Sequence, residues 1–305
     1  MTKGFITLAV GEYYCKLAEH LYMSYKLFSG CNYPFYVITD ENGKNRLSKL
    51  FDGVIVKDGF TNSSVDKICI FTESPFDETI FIDADSSVVN DLNYVFDVFE
   101  KNGSDLSAIS RTTPLAKGEN GVQFTAKTAE LLGIKKDFPK FNGGVYYFRR
   151  SSESAKAFDF MFNELYPHYF NYELKQRHNS TRMADEPLVI AAMLKYGMET
   201  VPVESNIMFL LFEKKDKVKW NMKKRVCSYP WEDKKVSPSI IHWKFGGTET
   251  NQYERYDAEV RGRFLNQSKT TVLYKKGMSF FKYNIYPGLL KVFPGLHKIA
   301  KKRNA

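Results

Sequence analysis

The sequence has little that would place it among proteins held together by cysteine chemistry or embedded in a bilayer. Its 305 residues include four cysteines, none of them in a CxxC pair, so neither a zinc module nor a disulfide framework is indicated. No apolar run approaches the roughly 20 residues that a transmembrane helix requires. The N-terminus passes directly into a strand-like run and lacks the charged, apolar and cleavage regions of a signal peptide. We therefore expect a cytoplasmic protein, either soluble or peripheral to a membrane.

Strand and helix signals alternate along the first part of the chain. Hydrophobic residues make up 43% of the sequence and charged residues 26%, which is ample for a packed core. The predicted strands span residues 4–10, 34–40, 53–56 and 79–83, and the predicted helices span 13–28, 47–51 and a segment that begins at Val65. Repeated βα units of this length predict an α/β fold with a Rossmann-like, mostly parallel central sheet flanked by helices.

The most informative segment is Thr79–Val89, in which an apolar strand runs into two carboxylates, Asp83 and Asp85, separated by one small residue. Ligands of open α/β sheets gather at the carboxyl ends of the strands, and side chains at i and i+2 of an extended chain point to one side. The pair therefore indicates a site for a hard divalent cation such as Mg²⁺ or Mn²⁺ carrying a diphosphate. The alternative is that Asp83 caps a helix and Asp85 occupies a turn, because aspartate favours both places.

Positive charge is concentrated near the C-terminal end of the sequence. Between Asn266 and Ala305 there are nine lysines and arginines and no acidic residue, which equals the formal net charge of +9 for the whole chain. Aromatic and aliphatic residues stand between these charges, a mixture suited to an anionic membrane surface. We therefore expect two parts: residues 1–262 as the α/β domain, and residues 263–305 as a basic, aromatic, membrane-associating tail.

Six elements of the sequence, in this order, resemble those of the GT-A nucleotide-sugar glycosyltransferases. They are Ile6–Val10 with Tyr14, Lys67, Phe81–Asp85, Phe141–Val145, Asp185–Glu186 and His242–Lys244. The similarity is greatest to glycosyltransferase family 8, which includes glycogenin and bacterial lipopolysaccharide galactosyltransferases, and it covers residues 4–247. The resemblance implies a GT-A fold and the transfer of a hexose from UDP-glucose or UDP-galactose to a glycan or lipid-linked saccharide, with retention, in polysaccharide biosynthesis.

The resemblance also implies roles for single residues. Asp83, Asp85 and His242 would hold Mn²⁺ or Mg²⁺, and Asp83 would also touch the ribose. The residues implied to contact the nucleotide sugar are Leu8, Val10, Gly11, Tyr14, Lys67, Asp83, Ala84, Asn142, Gly143 and Lys244, with Asp137 as a weaker candidate. Tyr14 can stack on the base through its π-face. The family often has Asn or Asp where this chain has Gly11, which removes one expected hydrogen bond to the nucleotide.

Asp185 and Glu186 are the expected catalytic residues. They open a predicted helix, where unpaired N–H groups favour carboxylates for structural reasons alone. Family 8 usually has Gln where this chain has Glu186, in a position beneath the anomeric carbon and opposite the leaving phosphate. A carboxylate there could stabilise an oxocarbenium-like centre, act as a nucleophile, or serve as a general base. The substitution therefore bears directly on the stereochemistry of the reaction.

Structural explanations and two other functions stay open on the sequence alone. His242 could be a buried structural histidine, Lys67 a solvated helix residue, and Asn142–Gly144 a simple turn. The protein could also be non-catalytic and bind a membrane or nucleic acid through its tail, or it could be a nucleotidyltransferase. Nucleic acid is the weaker partner because the body lacks a basic stripe with interleaved aromatic residues. A nucleotidyltransferase would need a glycine- and lysine-rich loop after the first strand, and residues 10–14 do not form one.

Overall fold

The computed structural model describes residues 1–61, 63–113, 122–123, 126–134, 138–176, 183–210, 218–222, 226–231, 234–243 and 247–292. Two predicted sugar contacts, Asp137 and Lys244, lie outside the described residues, as does the tail beyond residue 292.

The strands are β1 (Lys3–Ala9), β2 (Phe35–Thr39), β3 (Gly53–Val56), β4 (Glu78–Ile82), β5 (Ser86–Val88), β6 (Leu106–Thr113), β7 (Val122–Gln123), β8 (Phe138–Arg149), β9 (Lys175–Gln176), β10 (Val201–Pro202), β11 (Met208–Leu210), β12 (Lys219–Asn221), β13 (Val226–Trp231), β14 (Lys234–Val236) and β15 (Ile240–His242). The α-helices are α1 (Gly11–Phe28), α2 (Glu41–Leu47), α3 (Ile70–Glu73), α4 (Val95–Asn102), α5 (Ala126–Leu131), α6 (Ser152–Asp159), α7 (Asp185–Lys195), α8 (Asn251–Phe264), α9 (Lys269–Phe280) and α10 (Tyr286–Val292). Short 3₁₀ turns span Ser64–Cys69, Val203–Ser205 and Gly247–Glu249, and π-helical turns span Phe160–Leu165 and Phe281–Ile285. Of the helices that the structure describes, none has both the length and the apolar character to cross a bilayer.

A seven-stranded sheet with the strand order β10-β6-β8-β4-β1-β2-β3 forms the centre of the molecule. Strands β4, β1, β2 and β3 run parallel to their neighbours in that series, and β10 runs parallel to β6. Strand β8 is antiparallel to both β4 and β6. The prediction of a mostly parallel sheet is confirmed. The reversed direction of β8, which carries Asn142–Gly144, was not predicted from the sequence.

Helices cover both faces of this sheet, and each face has its own hydrophobic core. Phe5 and Ile6 are consecutive residues of β1, and they belong to different buried clusters because successive side chains of a strand point to opposite faces. Phe5 packs with residues of α1, α4 and α8, whereas Ile6 lies in the cluster that contains residues of α6 and α7. Both layers therefore hold the strand ends in fixed positions.

Two local predictions were wrong. The second predicted helix, over 47–51, is instead α2, because the Asp40 carboxylate accepts a hydrogen bond from Gly43 N at 2.8 Å and starts the helix six residues earlier.

The segment Asn142–Gly144 is not a turn before a strand but lies inside β8. There, Ala108 pairs with Tyr146 and Ser110 with Phe141, so a two-residue step on β6 faces a five-residue step on β8. The extra residues bulge out of the ladder.

A smaller sheet with the order β11-β15-β5 lies beside the edge where β4 ends. Its register places His242 opposite Ser86, which follows the two aspartates directly. The third sheet, β12-β13-β14, and the β7-β9 pair complete the strands that the structure describes. The small β11-β15-β5 sheet is the element that brings a residue from the far end of the domain to the Asp83–Asp85 segment.

The helices at the C-terminal end pack in succession against the domain. Tyr253, Tyr256 and Val260 of α8 are buried in the core cluster shared with α1. Helix α9 lies against α8, where Ser279 Oγ donates to Asn251 Oδ1 at 3.0 Å. The division of the chain at residue 262 stays a prediction, and α8 continues past it to Phe264.

Candidate functional site

The two aspartates and the histidine meet at the carboxyl edge of the central sheet. Asp83 follows β4, Asp85 precedes β5, and His242 ends β15, and the possible ligand atoms of the three side chains lie within 4.8 Å of one another. His242 Nε2 is 2.9 Å from Asp85 Oδ1 and 3.7 Å from Asp83 Oδ2. Residues separated by about 160 positions in the sequence are therefore assembled as one cluster with two carboxylates and one imidazole.

These residues fit a divalent cation. Asp85 Oδ1 is buried, yet it accepts no hydrogen bond of good geometry from the described residues, and such an oxygen is costly without a partner. His242 Nδ1 is hydrogen-bonded to Asn142 Oδ1, which directs the other ring nitrogen at the carboxylates. Two carboxylates and one imidazole form a ligand set that suits Mn²⁺ and tolerates Mg²⁺. The alternative that the two aspartates only cap a helix and fill a turn does not account for this convergence.

The buried charges of the cluster shift one another. Burial raises the pKa of Asp83 above its usual value. Burial alone would also raise the pKa of Asp85, but the nearby cations of His242 and Lys67 together outweigh burial and lower that pKa. Burial alone would lower the pKa of His242, but the neighbouring carboxylates of Asp85 and Asp83 together outweigh burial and raise that pKa. Opposing shifts of this kind mark a buried cluster of strongly interacting charges, and such clusters are frequent at functional sites.

Lys67 sits between this cluster and the start of α7. Its Nζ is 2.7 Å from Asp83 Oδ2, 3.6 Å from Asp185 Oδ2, and donates to the carbonyl oxygen of Gly143 at 3.3 Å. Burial alone would lower the pKa of Lys67, but the charges of Asp185 and Asp83 raise it well above its usual value. Lys67 is therefore a fixed cation inside the site and not a solvated residue on a helix surface.

Close approach explains the two glycines of the β8 bulge. A Cβ on Gly143 would lie 2.5 Å from both Asp185 Oδ2 and the hydroxyl oxygen of Tyr146, and a Cβ on Gly144 would overlap the His242 ring. Any larger residue at either position would displace the site's side chains. The resemblance implied sugar contacts for Asn142 and Gly143. The structure shows that Gly144, like Gly143, has no room for a larger side chain.

The two carboxylates at the start of α7 are held by β8. Asp185 accepts a hydrogen bond from the Tyr146 hydroxyl at 2.6 Å, and its side chain is nearly enclosed. Glu186 Oε1 accepts hydrogen bonds from Gly143 N at 2.7 Å and from Asn142 Nδ2 at 3.3 Å. The predicted helix start is confirmed, but these contacts are more specific than helix capping would require.

Tyr146 is a site residue that sequence reasoning missed. It lies in the apolar run after Gly144, beside Tyr147, whose hydroxyl bonds Glu78 at 2.9 Å instead of a residue of the site. Nothing in the spacing of the two tyrosines distinguishes them. Only the bulge in β8 decides which one reaches Asp185.

The predicted nucleotide contacts lie where β1 passes into α1. Leu8 and Val10 are partly exposed, Gly11 begins the helix, and the Tyr14 side chain is half-exposed. Burial, followed by the charges of Asp85 and Asp83, raises the pKa of Tyr14 above its usual value. The side chain of Ala84 is buried.

A second polar network lies behind the cluster. His20 Nδ1 is 2.8 Å from Asp257 Oδ1, His20 Nε2 is 2.6 Å from Ser87 Oγ, and Trp243 Nε1 donates to Ser87 Oγ at 2.8 Å. The Ser–His–Asp order has the connectivity of a hydrolase triad, but Ser87 and His20 are fully buried and no substrate could reach them. The network instead ties α8 to the strands β5 and β15, which carry the cluster.

The sheet order and the carboxylate cluster at its edge define a GT-A type of α/β fold, so the predicted fold is confirmed. No family model matches the chain, and no curated protein matches it. Among solved structures, the chain is similar to the apo form of WbbM, a bifunctional glycosyltransferase, with a TM-score of 0.57 and 14% sequence identity. That match covers 90% of this chain and 51% of WbbM, so the chain spans about half the length of that protein.

Two further solved structures match over shorter parts of the chain. One is the galactosyltransferase LgtC in complex with donor and acceptor sugar analogs, with a TM-score of 0.47, 13% identity, and coverage of 68% of this chain and 75% of that one. The other is mouse xyloside xylosyltransferase 1 in its apo form, with a TM-score of 0.47, 10% identity, and coverage of 69% and 88%.

Proposed function

We propose that the protein is a metal-dependent glycosyltransferase that moves a hexose from UDP-glucose or UDP-galactose to a glycan or a lipid-linked saccharide. The observation that carries the proposal is the convergence of Asp83, Asp85 and His242 at the sheet edge, within reach of Lys67. The fold that the chain shares with WbbM, a glycosyltransferase, supports it. A non-catalytic binding protein would have no need to keep a buried cluster of charged groups, which is costly to the folded state unless all of its charges are balanced.

The metal and donor roles follow from the chemistry of the cluster. Asp83, Asp85 and His242 would hold Mn²⁺ or Mg²⁺, which supplies a Lewis acid for the diphosphate leaving group when bound. Lys67 adds a fixed positive charge beside the place where negative charge develops. Tyr14, half-exposed beside the carboxylates, is available to stack on the nucleotide base. Leu8, Val10 and Gly11, together with the residues predicted above from the β8 bulge, would line the rest of the donor site.

The two carboxylates of α7 have different tasks in this proposal. Asp185 is nearly enclosed, accepts a hydrogen bond from Tyr146 and lies 3.6 Å from Lys67 Nζ, so it would orient the lysine and would not itself meet the sugar. Glu186 is partly exposed, and two N–H donors of β8 hold one of its oxygens. It is the carboxylate suited to stabilise an oxocarbenium-like sugar or attack it. Retention is proposed because of the resemblance to family 8.

The surface of α9 and the turn after it suits an anionic membrane. Its exposed apolar side chains are Leu273, Tyr274, Met278, Phe280, Phe281 and Ile285. Lys269 and Lys275 are exposed on the same helix. Apolar side chains and lysines on one short helical segment favour binding at a lipid headgroup region. The proposal places the enzyme at the cytosolic face of a membrane, with its acceptor in or near that surface.

The experiment that tests the proposal is a screen of nucleotide sugars for Mn²⁺-dependent hydrolysis in the absence of an acceptor. We expect release of UDP and hexose from one UDP-hexose, and loss of this activity with a chelator or in Asp85→Ala. Chromatography of the products separates sugar transfer, which releases UDP, from nucleotidyl transfer, which does not. Equal affinity for UDP-hexoses with and without chelator, measured by calorimetry, would reject the metal role.

A further inference from the structure

The side-chain amide of Asn142 connects two parts of the site. Its Oδ1 accepts a hydrogen bond from Gly144 N at 3.0 Å and is also hydrogen-bonded to His242 Nδ1. Its Nδ2 donates to Glu186 Oε1 at 3.3 Å. The amide therefore uses both ends on protein partners, one at the metal cluster and one at the start of α7. A contact to a sugar hydroxyl, the role that the resemblance implies, would be left to the second N–H of the amide.

The three partners fix the orientation of the amide. Gly144 N can only donate, so it requires the oxygen, and the Glu186 carboxylate can only accept, so it requires the nitrogen. His242 Nδ1 faces the oxygen and must therefore carry the proton. In the neutral ring, Nε2 then keeps its lone pair, and Nε2 is the nitrogen that faces Asp85 and Asp83. The amide thus selects the tautomer in which Nε2 can bind a metal.

The other end of the amide acts on Glu186. Together, Asn142 Nδ2 and Gly143 N hold Glu186 Oε1 against the β8 bulge. Two donors on one carboxylate oxygen restrict its rotation. A single side chain of the bulge therefore sets the direction of a metal ligand and the direction of the carboxylate that would face the sugar.

We propose that Asn142 is a positioning residue, which fixes His242 as an Nε2 metal ligand and aims Glu186 at the reacting sugar. The proposal rests on the proposed metal-dependent function. It differs from a direct sugar contact because removal of the amide should change metal binding in the absence of any sugar.

The test compares Asn142→Ala with Asn142→Asp, using Mn²⁺ alone as the probe and electron paramagnetic resonance to measure free Mn²⁺. Asn142→Ala removes the acceptor for His242 and should weaken Mn²⁺ binding by about 10- to 100-fold, as is common when a hydrogen-bond partner of a metal-binding histidine is removed. Asn142→Asp keeps an acceptor oxygen and should bind Mn²⁺ at least as tightly as the wild type. The exposed Asn163→Ala serves as the matched control and should not change Mn²⁺ affinity.

A second measurement reads the tautomer directly. Proteins labelled with ¹⁵N on histidine are compared by long-range ¹H–¹⁵N correlation, at a pH high enough to leave the imidazoles neutral. Wild type and Asn142→Asp should show His242 protonated on Nδ1, and Asn142→Ala should lose that preference. If Asn142→Ala keeps both the wild-type tautomer and the wild-type Mn²⁺ affinity, and only the KM for the donor rises, Asn142 is a sugar contact and the inference is overturned.

The two readouts keep this inference separate from the proposed function. If wild-type protein fails to bind Mn²⁺ at all, the metal-dependent function fails, while the tautomer comparison still decides whether Asn142 orients His242. If Mn²⁺ binds and Asn142→Asp loses turnover at saturating Mn²⁺, the second half of the inference holds, because that variant can no longer donate to Glu186. Unchanged turnover in Asn142→Asp would remove the role toward Glu186.

Discussion

The edge of the central sheet and the helices at the C-terminal end both concentrate charge, but they accommodate it in opposite ways. At the sheet edge, the carboxylates of Asp83, Asp85 and Asp185 converge around Lys67 in a largely enclosed space. On α9 the lysines lie at the surface, and Lys276 pairs with an acidic residue of α8. Enclosed carboxylates that outnumber the cations beside them destabilise a fold unless a ligand balances them, whereas solvated charges cost little. The first region is therefore stronger evidence of function than the second.

The largest expected effect is that of Asp85→Asn, which tests whether donor hydrolysis requires the negative charge of Asp85 at the sheet edge. Donor hydrolysis should fall at least about 10³-fold, because a Lewis acid at a leaving group contributes several kcal/mol. The free energy of unfolding in urea should decrease modestly, because the lowered pKa of Asp85 means that nearby cations stabilise its charged form in the folded state. The exposed Asp97→Asn is the control. A loss of stability without a loss of hydrolysis would mean that the charge of Asp85 is structural.

The next effect concerns Glu186, whose carboxylate is held by the β8 bulge. Glu186→Ala should lower kcat by about 10²-fold, with a much smaller change in donor affinity, the pattern of an interaction made in the transition state. Glu186→Gln keeps an oxygen for Gly143 N and separates the hydrogen bond from the charge. The anomeric configuration of the product, followed by NMR, decides between retention and inversion. Near-normal turnover in both variants would reduce Glu186 to a structural residue at the start of α7.

These contrasts also explain which parts of the site sequence reasoning could predict. The Asp83–Asp85 pair and the start of α7 are local patterns, and each appears in the structure where the pattern placed it, in one site with His242. Their convergence depends on the small β11-β15-β5 sheet. Spacing alone does not reveal it, so the resemblance to family 8 was needed to connect His242 to the aspartates.

What could not be predicted depends on the direction of strands and on the exact register of pairing. A run of alternating apolar residues has the same appearance in a parallel and in an antiparallel strand, so the reversal of β8 left no sign in the sequence. The register shift opposite Ala108 and Ser110 is equally invisible, although it sends Asn142 toward His242 and Tyr146 toward Asp185. The sequence likewise does not show that Lys276 of α9 pairs with an acidic residue of α8.

The buried network behind the cluster tests whether the two regions are linked. Burial alone would raise the pKa of Asp257, but the hydrogen bond from His20 and the charges of His20 and Arg261 outweigh it and lower it. A lowered pKa adds stability that is present above the unfolded value of about 3.9 and is lost as the pH falls through the folded value. Asp257→Asn should therefore cost about 1.5–3 kcal/mol at pH 7 in urea unfolding. The difference should shrink below about pH 4.

The exposed Asp58→Asn is the matched control for Asp257→Asn and should leave the unfolding free energy unchanged at both pH values. Mn²⁺ affinity should also fall in Asp257→Asn, because Ser87 and Trp243 of the same network flank the strands that carry the ligands. A destabilised variant with unchanged Mn²⁺ affinity would show that the helices and the metal cluster are independent.

The smallest expected effect is at the surface of α9. A chain truncated after Gln267 should stay folded and keep donor hydrolysis, because Ser279 is the residue of α9 that is buried within the described part of the helix. The truncated chain should lose binding to vesicles of phosphatidylserine and phosphatidylcholine. The full chain should bind those vesicles and release them in high salt, since exposed charges are screened over about 8 Å at physiological ionic strength. Within the full chain, Lys275→Gln should weaken vesicle binding by about 1 kcal/mol, roughly fivefold, whereas the exposed Lys44→Gln on α2 should not. Equal sedimentation of the full and truncated chains would contradict the membrane role. Unfolding of the truncated chain would show instead that α9 belongs to the domain and that its charges serve only to solvate it.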